Sequence, residues 1–235
     1  MYFPFVRSKV FSIGELRSFE QKLLAEAQVD KALRKAWRVP DTDEMKRWVK
    51  IREETYPIML LADRKSYPDD ATFFLMPAGT PNIDAEIKAQ SEIFNLQITI
   101  ADPIWIDDQG TTSNGGYDHR LSMEELNKSG FVHSSGLMRR DNGKIISELS
   151  PLLSPEQEFA ACTNGLVDAL KRKLSKSTSR CRLLVHARDY SQRRMHFTFE
   201  SVARRATDAL QLEIRSASYE KYYFVDEGRE SYFEY

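Results

Sequence analysis

Asp84, Glu86 and Lys88 alternate with apolar residues in Asn82-Ile83-Asp84-Ala85-Glu86-Ile87-Lys88. Asn95, Gln97 and Thr99 do the same in Phe94-Asn95-Leu96-Gln97-Ile98-Thr99-Ile100. Side chains two apart on a strand point the same way, so each segment reads as a strand with one polar face. Pairing the two brings two acids, a lysine and an amide onto one patch of sheet. That set suits metal-dependent hydrolysis. Mg²⁺ or Mn²⁺ takes oxygen ligands from one or two carboxylates, waters and substrate phosphate. A lysine beside the cation stabilises the developing oxyanion or orients the attacking water. The plainer reading is a solvated sheet face, with Lys88 at a strand end and Gln97 hydrogen-bonded between strands.

The elements that must position this patch are legible at both ends. Ser12-Ile13-Gly14-Glu15 is a capping box, and it predicts a helix to about Trp37 with Leu16, Phe19, Leu23 and Ala27 as its apolar stripe. Glu20 interrupts that stripe, so its carboxylate either reaches an edge or is aimed at a specific partner. Asp41 and Glu44 suggest a second capped helix ended by Pro57. Strands are then expected at Ile58–Ala62, Thr72–Met76, Ile83–Lys88 and Phe94–Ile100, joined by turn-rich links. Residues 107–150 read as a loop-rich insertion with a short helix over Ser122–Lys128, of the kind that serves as a lid or substrate-binding segment. Ser154-Pro155-Glu156-Gln157 opens a helix to about Ser175, and Lys173 borders its buried face. Cys181–His186 is a continuous apolar run suited to a central strand, followed by a helix at Phe199–Leu210 and a strand at Tyr222–Asp226.

These elements describe a single domain over residues 1–235, with helices in 1–57, the strand region and site in 58–106, the insertion in 107–150 and a helix–strand half in 151–235. The composition is that of an ordinary globular chain, 41% hydrophobic and 29% charged. The longest purely apolar run is too short to span a bilayer, and the N-terminus lacks a signal-peptide pattern. The two cysteines, Cys162 and Cys181, suggest buried reduced thiols and a cytoplasmic setting. No membrane partner is expected; a homodimer or a partner protein stays open. His119, His133, His186 and His196 are scattered without metal-ligand spacing.

Net charge is −1, but it is unevenly spread. Residues 171–205 carry eleven Lys and Arg against Asp189 and Glu200, a local +9 that leaves −10 for the rest. A basic half beside an acidic pocket suits an enzyme that holds a polyanion and a metal together. Lys171, Arg182, Arg188, Arg193 and Arg194 are the candidate phosphate contacts, with solvated helix faces as the alternative.

Over roughly residues 68–188 the chain resembles the PD-(D/E)XK nuclease superfamily, the restriction-endonuclease-like fold. The resemblance can be laid on in two registers. In one, Pro68-Asp69 is followed by Glu86-Ile87-Lys88. In the other, three successive strands precede the 155–175 helix and the Cys181–His186 strand, with Asp84 as the first acid. Gln97-Ile98-Thr99 then stands where the family has acid-x-lysine, so Lys88 or Lys173 must supply the cation from elsewhere. Glu20 resembles the additional acid that many members carry on their first core helix. The resemblance implies an α/β fold with a central mixed sheet of about five strands flanked by helices on both faces. It also implies Mg²⁺-dependent phosphodiester hydrolysis in DNA. Asp84, Glu86, Asp69 and Glu20 become metal ligands, and Asp84, Glu86, Lys88, Gln97 and Lys173 catalytic residues. The competing readings are a nuclease-fold module that binds nucleic acid without cutting it, favoured by the Gln and Thr departures, and an α/β protein-interaction domain.

Overall fold

Ser12 opens the first helix as its capping box demands. Its hydroxyl accepts from the Glu15 amide at 3.1 Å, and the Glu15 carboxylate accepts from the Ser12 amide at 2.7 Å. The computed structural model describes residues 3–30, 42–106, 112–114, 137–141, 144–148, 154–177, 180–188, 197–226 and 232–235. Strand β1 (Val10–Ser12) leads directly into α1 (Ile13–Val29), which ends at Asp30 and not near Trp37.

Helix α2 (Asp43–Arg64) overturns one expectation. It is capped by Thr42 and runs straight through Pro57, so Ile58–Ala62 is helix and not strand. A proline inside a helix loses one hydrogen bond and crowds the preceding turn. Here Ile58, Leu61 and Ala62 fall at helical spacing and are all buried, and that burial offsets the loss. A five-residue apolar run cannot by itself separate the two periods.

The main sheet has seven strands, two more than expected. Strands β2 (Thr72–Leu75), β3 (Ala85–Ala89) and β4 (Glu92–Ala101) form an antiparallel meander, with β1 paired to the outer edge of β2. Two short hairpins interrupt the 107–150 region and its flank: β5 (Ile104–Ile106) with β6 (Thr112–Asn114), and β7 (Leu137–Asp141) with β8 (Lys144–Glu148). The loop-rich insertion expected here therefore also carries short strands. The Ser122–Lys128 helix lies outside the described residues.

Helix α3 (Pro155–Leu174) then crosses over to β9 (Cys181–Ala187), which pairs parallel to β4. Helices α4 (Phe199–Ala209) and α5 (Gln211–Ser216) lead to β10 (Tyr219–Asp226), parallel to β9, and β11 (Tyr232–Glu234) closes the far edge antiparallel. The two additional strands are the edges β1 and β11, three residues each and too short to show a period.

Each face of the sheet has its own core. Leu96, Ile98, Leu184 and Val225 pack with α1 and α2; Leu183, Val185, Phe224 and Ala101 pack with α3 and α4. Helices thus cover both faces, and every residue of β9 is buried, as its unbroken apolar run predicts. Cys162 and Cys181 are both buried and free.

Candidate active site

Strand alternation decides which face each polar residue takes. Gln97 and Thr99 turn away from Leu96 and Ile98, toward α3, and Asp84 enters the same face from the residue before β3. The Asp84 backbone still belongs to the sheet. Its amide donates to the Leu96 carbonyl at 2.8 Å, and its carbonyl accepts from the Met76 amide at 3.0 Å. Beyond that point β3 offers β4 no further backbone partner. The Asp84 carboxylate takes over, accepting from the Ile98 amide through Oδ2 at 2.7 Å. A carboxylate so held is fixed in place. Its other oxygen, Oδ1, accepts no hydrogen bond among the described residues.

Lys173 approaches from the last turn of α3, its Nζ 3.9 Å from Asp84 Oδ2. Burial pushes the Lys173 pKa down. Asp84 opposes this, while Lys176 and Arg172 add to it. A half-buried lysine with a weakened hold on its proton, facing a carboxylate, is the kind of group that clusters at functional sites.

Gln97 is only 3% exposed, and its carbonyl accepts from the Tyr219 hydroxyl. The same hydroxyl lies 3.2 Å from the Lys173 carbonyl, so Tyr219 ties β4 to the end of α3. Burial pushes the Tyr219 pKa well up, with Cys181, Tyr222 and Asp84 adding to it, so it remains a phenol. Tyr219 and Cys181 are register partners, and the Cys181 thiol packs against the Asn82 carbonyl at 4.0 Å. The tie that Tyr219 makes in this cluster depends on β10 lying beside β9, which no local sequence pattern shows.

The remaining candidates separate. Glu86 lies on the Asp84 face, half-buried, opposite Phe74 and Asn95, and its carboxylate has no hydrogen bond or ion pair among the described residues. Lys88 is exposed and lies four residues along from Asp84, about 13 Å at ~3.3 Å per residue, so Lys173 is the lysine that reaches Asp84. Glu20 is on α1, across the sheet from Asp84. Its carboxylate, 1% exposed, takes the Arg52 guanidinium edge at 2.8–3.2 Å. Asp69 sits in the turn before β2 and pairs with Arg17 at 2.5 Å, so the structure gathers neither it nor Glu20 to the group.

The basic candidates divide in the same way. Lys171 is exposed on α3. Arg182 points into the α1/α2 face, where its Nη1 donates to Glu92 and to the Tyr223 hydroxyl, both at 2.9 Å, and its guanidinium covers the Phe94 ring at 3.9 Å. Arg188 is held edge-on by Asp102 at 2.7 and 2.8 Å. Arg193 and Arg194 lie outside the described residues, as do His119, His133 and His196. Arg172, which was not singled out, donates to the Ile100 carbonyl at 2.9 Å and pairs with Asp168.

No protein-family model, no curated protein and no solved structure matches the chain. What the structure defines is an α/β chain with a seven-stranded mixed sheet, and among the described residues no helix is long and apolar enough to cross a membrane.

Proposed function

We propose that this chain is a divalent-metal-dependent nuclease of the restriction-endonuclease-like type, hydrolysing phosphodiester bonds in DNA at the Asp84–Gln97–Lys173 cluster. The observation that carries the reading is the meeting of Asp84 and Lys173 on the Gln97 face of the sheet, one from a strand start and one from the crossover helix. The order of β2, β3, β4, α3 and β9 supports it, being the order the resemblance implies for the register with Asp84 as first acid.

The donor set fits a hard cation that keeps several waters and completes its shell with substrate phosphate. Asp84 Oδ1, the Gln97 carbonyl and the Glu86 carboxylate are all oxygen donors on one face. They do not make a closed cage, and among the described residues no group of three His, Cys, Asp or Glu forms one. When bound, Mg²⁺ or Mn²⁺ would supply Lewis-acid polarisation of the phosphoryl group and a more acidic water. The chain's own residues do the rest. The Ile98 amide fixes the Asp84 carboxylate, and Tyr219 fixes the Gln97 carbonyl. Lys173 donates to the phosphoryl oxygens as charge develops, and its lowered pKa suits it to pass a proton to the leaving oxygen. Lys171 extends the cationic end of α3 toward a phosphate backbone.

A second reading, a module that binds nucleic acid without cutting it, is favoured by Gln97 itself. A neutral amide stands where the family pattern has an acid, and its carbonyl is already engaged by Tyr219. Calorimetric titration of Mn²⁺ into the chain with a short duplex separates the two. The nuclease reading expects saturable binding that Asp84→Ala/Glu86→Ala abolishes. Duplex binding with no metal heat in either protein supports the second reading.

A further inference from the structure

Helices α1 and α2 bury one face of β1, β2 and β3. On the other face α3 packs on β4 and β9, and α4 stands beyond it beside β11. Among the described residues no helix covers that side of β1, β2 and β3. Strand register sets two rows of side chains there. One row is Val10, Phe74, Glu86 and Asn95; the other is Ser12, Thr72, Lys88 and Ile93.

An antiparallel sheet that leaves one face to water shows polar residues on it. This face instead carries Val10 at 63% and Ile93 at 64% exposure, with Phe74 half-buried beside Val10. Its charged residues are Glu86 and Lys88, and neither has a hydrogen bond or ion pair among the described residues. The two charges cancel, so the face offers a polyanion no net attraction.

One charge of each sign, in adjoining rows of the same strand, makes the face complementary to itself. A twofold axis laid across the strands between the rows sets Glu86 against Lys88 of a second copy and Lys88 against its Glu86. The same operation sets Phe74 over Thr72, Val10 over Ser12 and Ile93 over Asn95. Two antiparallel sheets stacked in this way pack as in a β-sandwich. We propose that this open face pairs with the same face of a second copy, through reciprocal ion pairs between Glu86 and Lys88. Two rows of four side chains make a small footprint beside the ~1,600 Å² of a standard interface, so the dimer is weak, with Kd on the order of 10 µM or above. One Glu86 oxygen suffices for the lysine, which leaves the other for a cation, so the pairing holds with or without the nuclease reading.

Sedimentation velocity of the full-length chain without metal or DNA, from about 1 to about 500 µM, tests this. The expected result is a concentration-dependent shift from monomer to dimer. Lys88→Glu sets acid against acid at both symmetry-related contacts and should weaken the dimer about tenfold or more. Ile93→Asp should do the same through the apolar contact, which covers the case in which Lys88→Glu fails to fold. Combining Glu86→Lys with Lys88→Glu restores the complementarity and should return Kd to within about threefold of wild type. Circular dichroism and melting temperature check that each variant is folded. A chain monomeric throughout that range overturns the proposal and leaves the face to another occupant. So does a dimer as tight in Lys88→Glu as in wild type, or a double variant no tighter than Lys88→Glu alone.

Discussion

Replacing Arg182 with alanine tests the division of the basic residues into those that build the fold and those that face solvent. Arg182 reads from sequence as a phosphate contact, but its guanidinium is spent on Glu92, Tyr223 and the Phe94 ring. A hydrogen bond involving a charged group contributes about 1.5–3 kcal/mol, and a cation over a desolvated ring up to ~2. Glu92 is itself half exposed, so its share is discounted for solvent screening. The Tyr223 hydroxyl, by contrast, is left buried without its donor. About 3 kcal/mol is the expected loss, mostly from Tyr223 and the ring. At ~2–4 °C per kcal/mol for a chain of this size, Tm falls by about 6–12 °C. Urea and thermal unfolding measure the loss, and fluorescence anisotropy with a labelled duplex below the lowered Tm measures DNA affinity. The reasoning is refuted if Arg182→Ala unfolds like wild type while its duplex affinity collapses.

Three further outcomes follow from the geometry. Glu20→Ala removes a buried carboxylate from a partly exposed Arg52, so it should cost about 3 kcal/mol in urea unfolding yet leave metal-dependent cleavage per folded molecule unchanged. Gly14→Ala places a Cβ 2.9 Å from the Asp69 Cβ, in a turn pinned by the Gly14 amide to the Asp69 carbonyl at 3.0 Å. Overpacking should outweigh the gain in helix propensity by about 1 kcal/mol, read from denaturant midpoints. His186 has a folded pKa of about 4 against 6.5 unfolded, so the unfolded state binds the extra proton between those values and stability falls as pH drops through that window. The loss is about 3 kcal/mol at ~1.4 per unit; the difference between wild type and His186→Phe across pH 7 to 4 should show it.

Local chemistry explains which features could be read from the sequence. The Ser12 and Ser154 capping boxes are short-range patterns, and both form with side-chain and backbone partners as spaced. The alternation in Asn82–Lys88 and Phe94–Ile100 fixed the register, so Asp84, Glu86 and Gln97 share a face. Cys181–His186 announced a doubly covered strand by its lack of alternation, and the strand runs one residue further, to Ala187. What failed needed three-dimensional information. Ile58–Ala62 is a buried run whose period only its packing reveals, and Pro57 pointed the wrong way. Arg182 is an arginine in an apolar strand, and whether it faces a phosphate or the Tyr223 hydroxyl depends on β10. Lys173 meets Asp84 only because the α3 crossover returns β9 beside β4. Tyr219 enters the same cluster only because β10 adds to β9.

Cleavage of a labelled DNA duplex in Mg²⁺ or Mn²⁺ tests the central claim most directly, comparing wild type with Asp84→Asn and Lys173→Met. The account predicts metal-dependent strand breaks by the wild type, a loss of at least about a hundredfold in each variant, and unchanged melting temperature. Wild-type cleavage that survives in both variants, or a wild type that binds the duplex and never cuts it, would contradict it.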